Sequence, residues 1–374
     1  MDHLVKGYCP GAQRPMPSGD GLVVRVRPFA GGLSQEQAVK LATLSERFGN
    51  GLIDLSARGN LQLRGVTPAG YPEILDVLAR LGLLDENAEI ESRRDIIVTP
   101  FDVLNDEVHS LAKSLSQALA DAEGLTLPGK FGFAIDTGPS PVLQHASADI
   151  RLERSASGTL MLSADGAAVA KAVELEDAAD QAVKLAHWFD KQRGNHRRMA
   201  TLLSSGVPLP SDFAIARQQQ RYVPTPGLMQ EGALLGVAFG QLSSSVLAKL
   251  AALGPLRLTP WRMVLVEGLQ RMPQISGLIH DPSDPLLRVV ACSGAPACAQ
   301  AHADTRALAR QIAPKLGPQG FAHVSGCTKG CAHPIKAPLT IVATAQGFDL
   351  IEQGSARDLP KRRSLTGREV KSAL

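Results

Sequence analysis

Residues 22–29, LVVRVRPF, alternate apolar and polar positions with the period of a half-buried strand, setting Arg25 and Arg27 on the face opposite Val24 and Val26. Ser34 then fits the N-cap of a helix running to Arg47, with Glu36 and Gln37 in its first turn and Gly49 near its end. Two short strands over 52–56 and 60–64 and a second amphipathic helix over 72–84 complete the unit. The predicted order is strand, helix, strand, strand, helix.

The same unit recurs. Leu33, Ser34, Lys40, Leu41, Ala42 and Leu44 match Leu242, Ser243, Lys249, Leu250, Ala251 and Leu253 at a constant offset of 209. After a loop-sized gap of six residues, Leu55, Leu63 and Gly65 meet Leu258, Val266 and Gly268 at an offset of 203. Two registers joined by one gap point to duplication. The copies differ in chemistry, because Arg58 and Gln62 fall opposite Trp261 and Leu265, so a cationic face in one is apolar in the other. We expect four segments: half-domains over 15–88 and 222–284, each followed by a larger segment, 89–215 and 285–374. The turn residues Pro224 and Pro226 lie in the boundary between the halves.

The composition, 44% hydrophobic and 20% charged, is that of a globular chain, not a disordered one. A formal charge of +3 is too small to argue for a nucleic-acid or membrane partner, so any basic site must be local. No apolar run reaches membrane-spanning length, and Asp2, His3 and Lys6 precede Pro10 where a signal peptide would be apolar. These features predict a cytoplasmic protein. No glycine-rich dinucleotide fingerprint opens a helix, so NAD(P)H electrons are expected to arrive through an external donor.

Four of the five cysteines lie between residues 292 and 331. Cys292 and Cys298 are separated by five residues and Cys327 and Cys331 by three, with 28 between the pairs. Clustered thiolates suit zinc, copper(I) or an iron-sulfur cluster, and spacings wider than a zinc knuckle lean toward a cubic four-iron cluster with one cysteine per iron. The flanks, ACSGAPACAQA and HVSGCTKGCAHP, are rich in small residues that let backbone N–H groups approach sulfur. Cys9 is left over and reads as a free thiol.

With these residues in hand, the chain resembles the sulfite and nitrite reductase superfamily over nearly its whole length. The resemblance rests on the paired-cysteine pattern, the duplicated unit, the two-arginine strand at 22–28, ARGNLQ at 57–62, and Arg94 in the segment 93–97. It implies an α+β fold with two ferredoxin-like half-domains related by a pseudo-twofold repeat, each followed by an α/β domain that binds cluster or tetrapyrrole. It further implies a [4Fe-4S] cluster on Cys292, Cys298, Cys327 and Cys331, and a macrocycle held by Arg25, Arg27, Arg58, Gln62, Arg94 and Lys130. One departure concerns chemistry: where the reductases carry a lysine pair, this chain has Lys130-Phe131-Gly132. A dianion losing oxygen needs several packed cations, so sulfite reduction is disfavoured.

The opening Cys9-Pro10, Gly19-Asp20-Gly21-Leu22 and the stretch from His323 to Pro334 are most similar to the precorrin-3B synthase branch. That branch oxidises precorrin-3A with dioxygen in aerobic cobalamin biosynthesis, as a monooxygenase, and the resemblance implies an additional mononuclear non-haem iron. Siroheme belongs to the alternative, a nitrite or sulfite reductase, and a non-catalytic iron-sulfur or tetrapyrrole carrier is a third reading. His145, His196, His280, His323 and His333 are candidate iron ligands, but none has a diagnostic spacing and none is assigned. The basic runs 191–198 and 361–371 read as solvated faces, the first a possible dock for an acidic electron donor.

Overall fold

The computed structural model describes residues 10–101 and 106–374. The first unit contains β1 (Met16–Ser18), β2 (Gly21–Val26), β3 (Gly32–Leu33), α1 (Gln35–Phe48), β4 (Leu52–Leu55), β5 (Leu61–Val66) and α2 (Tyr71–Arg80). Ser34 begins α1 with a reciprocal capping box: its hydroxyl accepts from Gln37 N–H at 3.1 Å, and the Gln37 side chain accepts from Ser34 N–H at 2.9 Å. The strand 22–29 ends earlier than its pattern predicts and is buried on both faces. Val24 and Val26 are fully buried, and Arg25 and Arg27 are 8% and 7% exposed.

Next come α3 (Ala88–Arg93), β6 (Ile96–Val98), α4 (Asp106–Ala120), β7 (Phe133–Asp136), β8 (Ile150–Arg154), β9 (Leu160–Ala164), β10 (Val169–Ala172), α5 (Ala178–Gln192), α6 (Met199–Ser204) and β11 (Ile215–Ala216). Here the strands form one six-stranded sheet, ordered β11-β10-β9-β8-β7-β6, parallel from β6 to β8. Helices α4 and α5 cover it, with Phe131, Phe133 and Phe189 in the core.

The second unit repeats the first through its last strand, with β12 (Gly227–Met229), β13 (Gly232–Gly236), β14 (Gln241–Ser243), α7 (Ser244–Ala251), β15 (Leu256–Leu258) and β16 (Met263–Glu267), but among the described residues has no counterpart of α2, so the expected closing helix does not recur. The two copies exchange an edge strand. Strand β3 pairs with β15 of the second copy, Leu33 opposite Leu256, while β14 pairs with β4 of the first, Leu242 opposite Ile53. Helices α1 and α7 pack together over one core drawn from both copies. The duplication extends to backbone detail: Ala30 and Phe239, 209 apart, both adopt left-handed φ, 50° and 57°, unusual for residues with a side chain. The exchanged strands escape the sequence pattern because two or three residues carry no period.

The last segment forms β17 (Val289–Ala291), α8 (Thr305–Ile312), β18 (Ala322–Ser325), β19 (Ala337–Thr344), β20 (Gly347–Gly354), β21 (Arg362–Leu365) and α9 (Gly367–Ser372). Its sheet runs in chain order, with β17, β18 and β19 parallel. Among the described residues no helix is long and apolar enough to cross a membrane.

Candidate functional site

Parallel strands deliver two of the four cysteines to one edge. Cys292 follows β17 and Cys327 follows β18, and Cys292 N–H donates to Val324 O of that neighbour at 3.3 Å. The loops they open carry Cys298 and Cys331. Gly326 N–H donates to Cys292 Sγ at 3.2 Å, and a Cβ on Gly326 would meet Ala301 Cβ at 2.6 Å, so only glycine lets this backbone close on sulfur. The first unit grips the same loop: Ala297 O accepts from Ser18 Oγ at 2.6 Å, Gly19 N–H at 3.2 Å and Arg64 Nη2 at 3.0 Å.

The other three thiols lie within electrostatic reach of Cys331. Desolvation first, then Cys327, Cys292 and Cys298, push the Cys331 thiol above its ordinary pKa, while Lys130 pulls it down. Among the described residues no three His, Cys, Asp or Glu groups are near enough to share one metal ion.

The six residues expected to hold a macrocycle divide. Arg25 and Gln62 face each other across β2 and β5, and with the amide turned so that its oxygen meets the guanidinium, Gln62 accepts from Arg25 Nη2 at 2.8 Å and Nε at 3.2 Å. Arg27 Nη1 donates to Glu91 at 2.7 Å, and the same carboxylate accepts from Ala12 N–H at 2.6 Å. Arg94 makes a two-pronged bond to Asp85, at 2.6 and 2.8 Å. Desolvated guanidinium groups need carboxylates, and Arg27 and Arg94 find theirs within the chain. They brace the first unit against α3.

Arg58 also finds a carboxylate within the chain, but reaches further. One edge pairs with Asp95, while Nη2 donates to Lys130 O and to Ser147 Oγ, the latter at 3.3 Å. A Cβ on Gly132 would lie 3.1 Å from Arg58 Nη1. The guanidinium therefore takes the space beside Gly132 that a longer side chain would enter. Opposite Arg58 in the second copy, Trp261 stacks on Phe101 with centroids 5.6 Å apart and lies 5.1 Å from Tyr222, so that face is apolar as the sequence pattern predicts. Small cavities lined in part by Arg94 and by Arg58 hold about 10 Å³ each, too little for a tetrapyrrole.

Arg262 was missed by sequence reasoning. It is half-buried, donates to Ala332 O at 3.3 Å next to Cys331, and feels the charges of Arg306, Asp54 and Cys292. The repeat carried a signal: at offset 203 it matches Gly59, and both have left-handed φ, 60° and 64°. A side chain held where glycine is preferred marks a constrained position.

The histidines separate too. His323 and His333 approach edge-to-face at 5.7 Å, and neither ring nitrogen of His323 has a hydrogen-bond partner among the described residues. Burial, with His333 and Arg262 nearby, lowers the His323 pKa to about 4. The unfolded chain binds that proton near pH 6.5, so His323 contributes stability that is full above 6.5 and is lost as pH falls toward 4. Asp136 runs the other way, because burial pushes it up to about 6 from 3.8, so its contribution is present at low pH and lost as pH rises through 6. Between pH 4 and 6 the two oppose. Asp136→Asn removes one opposing group, and in that background the His323-dependent part of the urea-unfolding profile, taken as the difference from His323→Gln, should fall by about 2–3 kcal/mol between pH 6.5 and 4.5. A flat profile would contradict the buried neutral imidazole.

The model of the nitrite/sulfite reductase ferredoxin-like half domain matches residues 14–81, the first unit. A solved structure of the Mycobacterium tuberculosis NirA protein superposes with a TM-score of 0.64 at 19% identity, covering 94% of this chain and 79% of that one. That likeness fixes the fold as sulfite/nitrite reductase-like. A ferredoxin–nitrite reductase of Synechococcus elongatus is 33% identical over 135 residues, which is 33% of this chain and 26% of that protein. A precorrin-3B synthase of a Sinorhizobium species is 32% identical over 95% of this chain and 84% of its own length. The chain belongs to the precorrin-3B synthase family. Membership agrees with the sequence reading and makes the chain an enzyme of cobalamin biosynthesis on a reductase-like fold. The reductase alternative keeps only the fold and a partial match.

Proposed function

We propose that the chain hydroxylates precorrin-3A with dioxygen and closes a lactone with a ring acetate, giving precorrin-3B. The observation that carries this reading is that Lys130, whose carbonyl accepts from Arg58, lies close enough for its charge to act on Cys331. It joins the Arg58 face to the thiol end, so one site can hold a polyanionic ring beside a redox group.

Cys292, Cys298, Cys327 and Cys331 would hold a [4Fe-4S] cluster, with Gly326 N–H directed at Cys292 sulfur. Bound there, the cluster supplies one-electron transfer next to the ring. The chain's own groups bind and orient. Arg58 and Lys130 offer cations to the carboxylate arms, and Arg25 with Gln62 lines the sheet face leading to them. Arg27 and Arg94 support this face through Glu91 and Asp85. One oxygen atom enters the product and the other leaves as water, which requires two electrons and two protons from an external NAD(P)H-linked donor. A mononuclear iron is part of the family expectation, and no histidine is assigned to it.

The visible spectrum of protein purified without oxygen separates this reading from a siroheme-dependent reductase. A broad iron-sulfur shoulder alone is expected. Strong macrocycle bands that survive extraction as an iron tetrahydroporphyrin would move the reductase ahead.

A further inference from the structure

The loop 143–149 places a serine between two arginines that belong to distant segments. Ser147 Oγ accepts from Arg58 Nη2 and from Arg198 Nη1, each at 3.3 Å. A hydroxyl has two lone pairs and one proton. With both lone pairs engaged, Ser147 is left as a donor, and it makes no hydrogen bond of its own to a described acceptor.

The counter-charges lie behind this group. Asp149 is fully buried and binds Arg198 Nε at 2.9 Å, Gly132 N–H at 3.0 Å and Met199 N–H at 2.8 Å. Asp95, likewise buried, holds the opposite edge of Arg58. Arg198 keeps 29% of its side chain exposed, and its Nη2 has no hydrogen-bond partner among the described residues. Two guanidinium groups thus converge on one hydroxyl, whose proton and the neighbouring Arg198 Nη2 are left as donors, backed by carboxylates that fix their positions. Such an all-donor group matches a carboxylate.

We infer that Arg198, Ser147 and Arg58 form a carboxylate clamp that seats one acidic arm of the substrate ring. Arg198 is then a substrate-binding residue. The basic run 191–198, read from sequence as a solvated face or a dock for an electron donor, divides: Lys191 is exposed, whereas Arg198 turns inward to Asp149. The inference rests on the tetrapyrrole reading of this site and names a contact within it.

Uroporphyrin III, a stable ring with eight carboxylates, serves as the probe, with binding followed by fluorescence quenching of the intact chain. Arg198→Gln should weaken binding about tenfold or more and flatten its salt dependence, as expected for loss of a charge-assisted hydrogen bond. Arg198→Lys should recover part of the affinity, and Lys191→Gln should bind as wild type does. Should Arg198→Gln fail to fold, Ser147→Ala leaves the Asp149 pair in place and is expected to weaken binding several-fold. If wild type binds and either folded variant, Arg198→Gln or Ser147→Ala, binds equally well, the clamp is overturned while the site reading stands; a purely structural Arg198 would lower only the urea midpoint. Failure of wild type to bind uroporphyrin at all would overturn the site reading and the clamp together.

Discussion

Cys327→Ser protein is expected to emerge from anaerobic purification colourless, with iron and sulfide near zero, and still folded over most of its length. The serine oxygen is harder and less easily deprotonated than a thiolate, so one corner of a four-iron cluster would lose its ligand. Cys327 leaves β18 where Ser325 Oγ donates to its carbonyl at 2.7 Å, so loss of the cluster should loosen the loops that end β17 and β18. The core behind them, including Ala309, Ile312, Val324 and Ile341, is fully buried and independent of the thiols. Iron analysis, visible absorption and limited proteolysis together check this. A coloured Cys327→Ser would remove the residue from the ligand set, and Cys9→Ser is expected to keep full colour.

The second large effect is on stability. Arg151 is the bulkiest of the fully buried side chains and ties down the loop that carries Ser147. Its Nη1 donates to Leu143 O at 2.8 Å, and Nη2 to Ala146 O at 2.7 Å, Ala148 O at 3.2 Å and Asp165 at 3.0 Å. Arg151→Leu preserves apolar bulk but removes the one side chain that ties three carbonyls and the Asp165 carboxylate together, leaving Leu143 O and Ala146 O only their backbone donors. A loss of about 3–5 kcal/mol in urea unfolding is expected, the range for removing one member of a buried charged network. Arg151→Lys should recover less than half, because an ammonium group cannot span the fork. Ring affinity should fall in the folded fraction too, since Ser147 and Asp149 follow this loop. A change below about 1 kcal/mol would show that the loop is held by other contacts.

Local signals carried far. The Ser34 cap and the repeat at offsets 209 and 203 are written in short stretches of chain, and they found their structural counterparts in α1 and in the exchanged strands. Long-range pairing was not legible. Nothing near Arg27 announces Glu91, 64 residues away, and nothing within the basic run marks Arg198 as the partner of Asp149. An arginine's role depends on which carboxylate folding brings to it, and no periodicity encodes that. Arg262 is the instructive case, because aligning the two copies already set it against Gly59, a position where a side chain calls for an explanation. Cys9 lies outside the described residues, so its reading as a free thiol rests on sequence alone.

The central claim is that this fold, shared with oxyanion reductases, here acts on a tetrapyrrole as substrate. Its most direct test is a reaction of the cluster-loaded protein with precorrin-3A, a reductant and isotopically labelled dioxygen, followed by mass spectrometry of the ring. The account predicts one labelled oxygen atom in a lactone product, dependent on reductant and lost in Cys327→Ser. Recovery of unchanged precorrin-3A, alongside reduction of nitrite or sulfite by the same preparation, would contradict it.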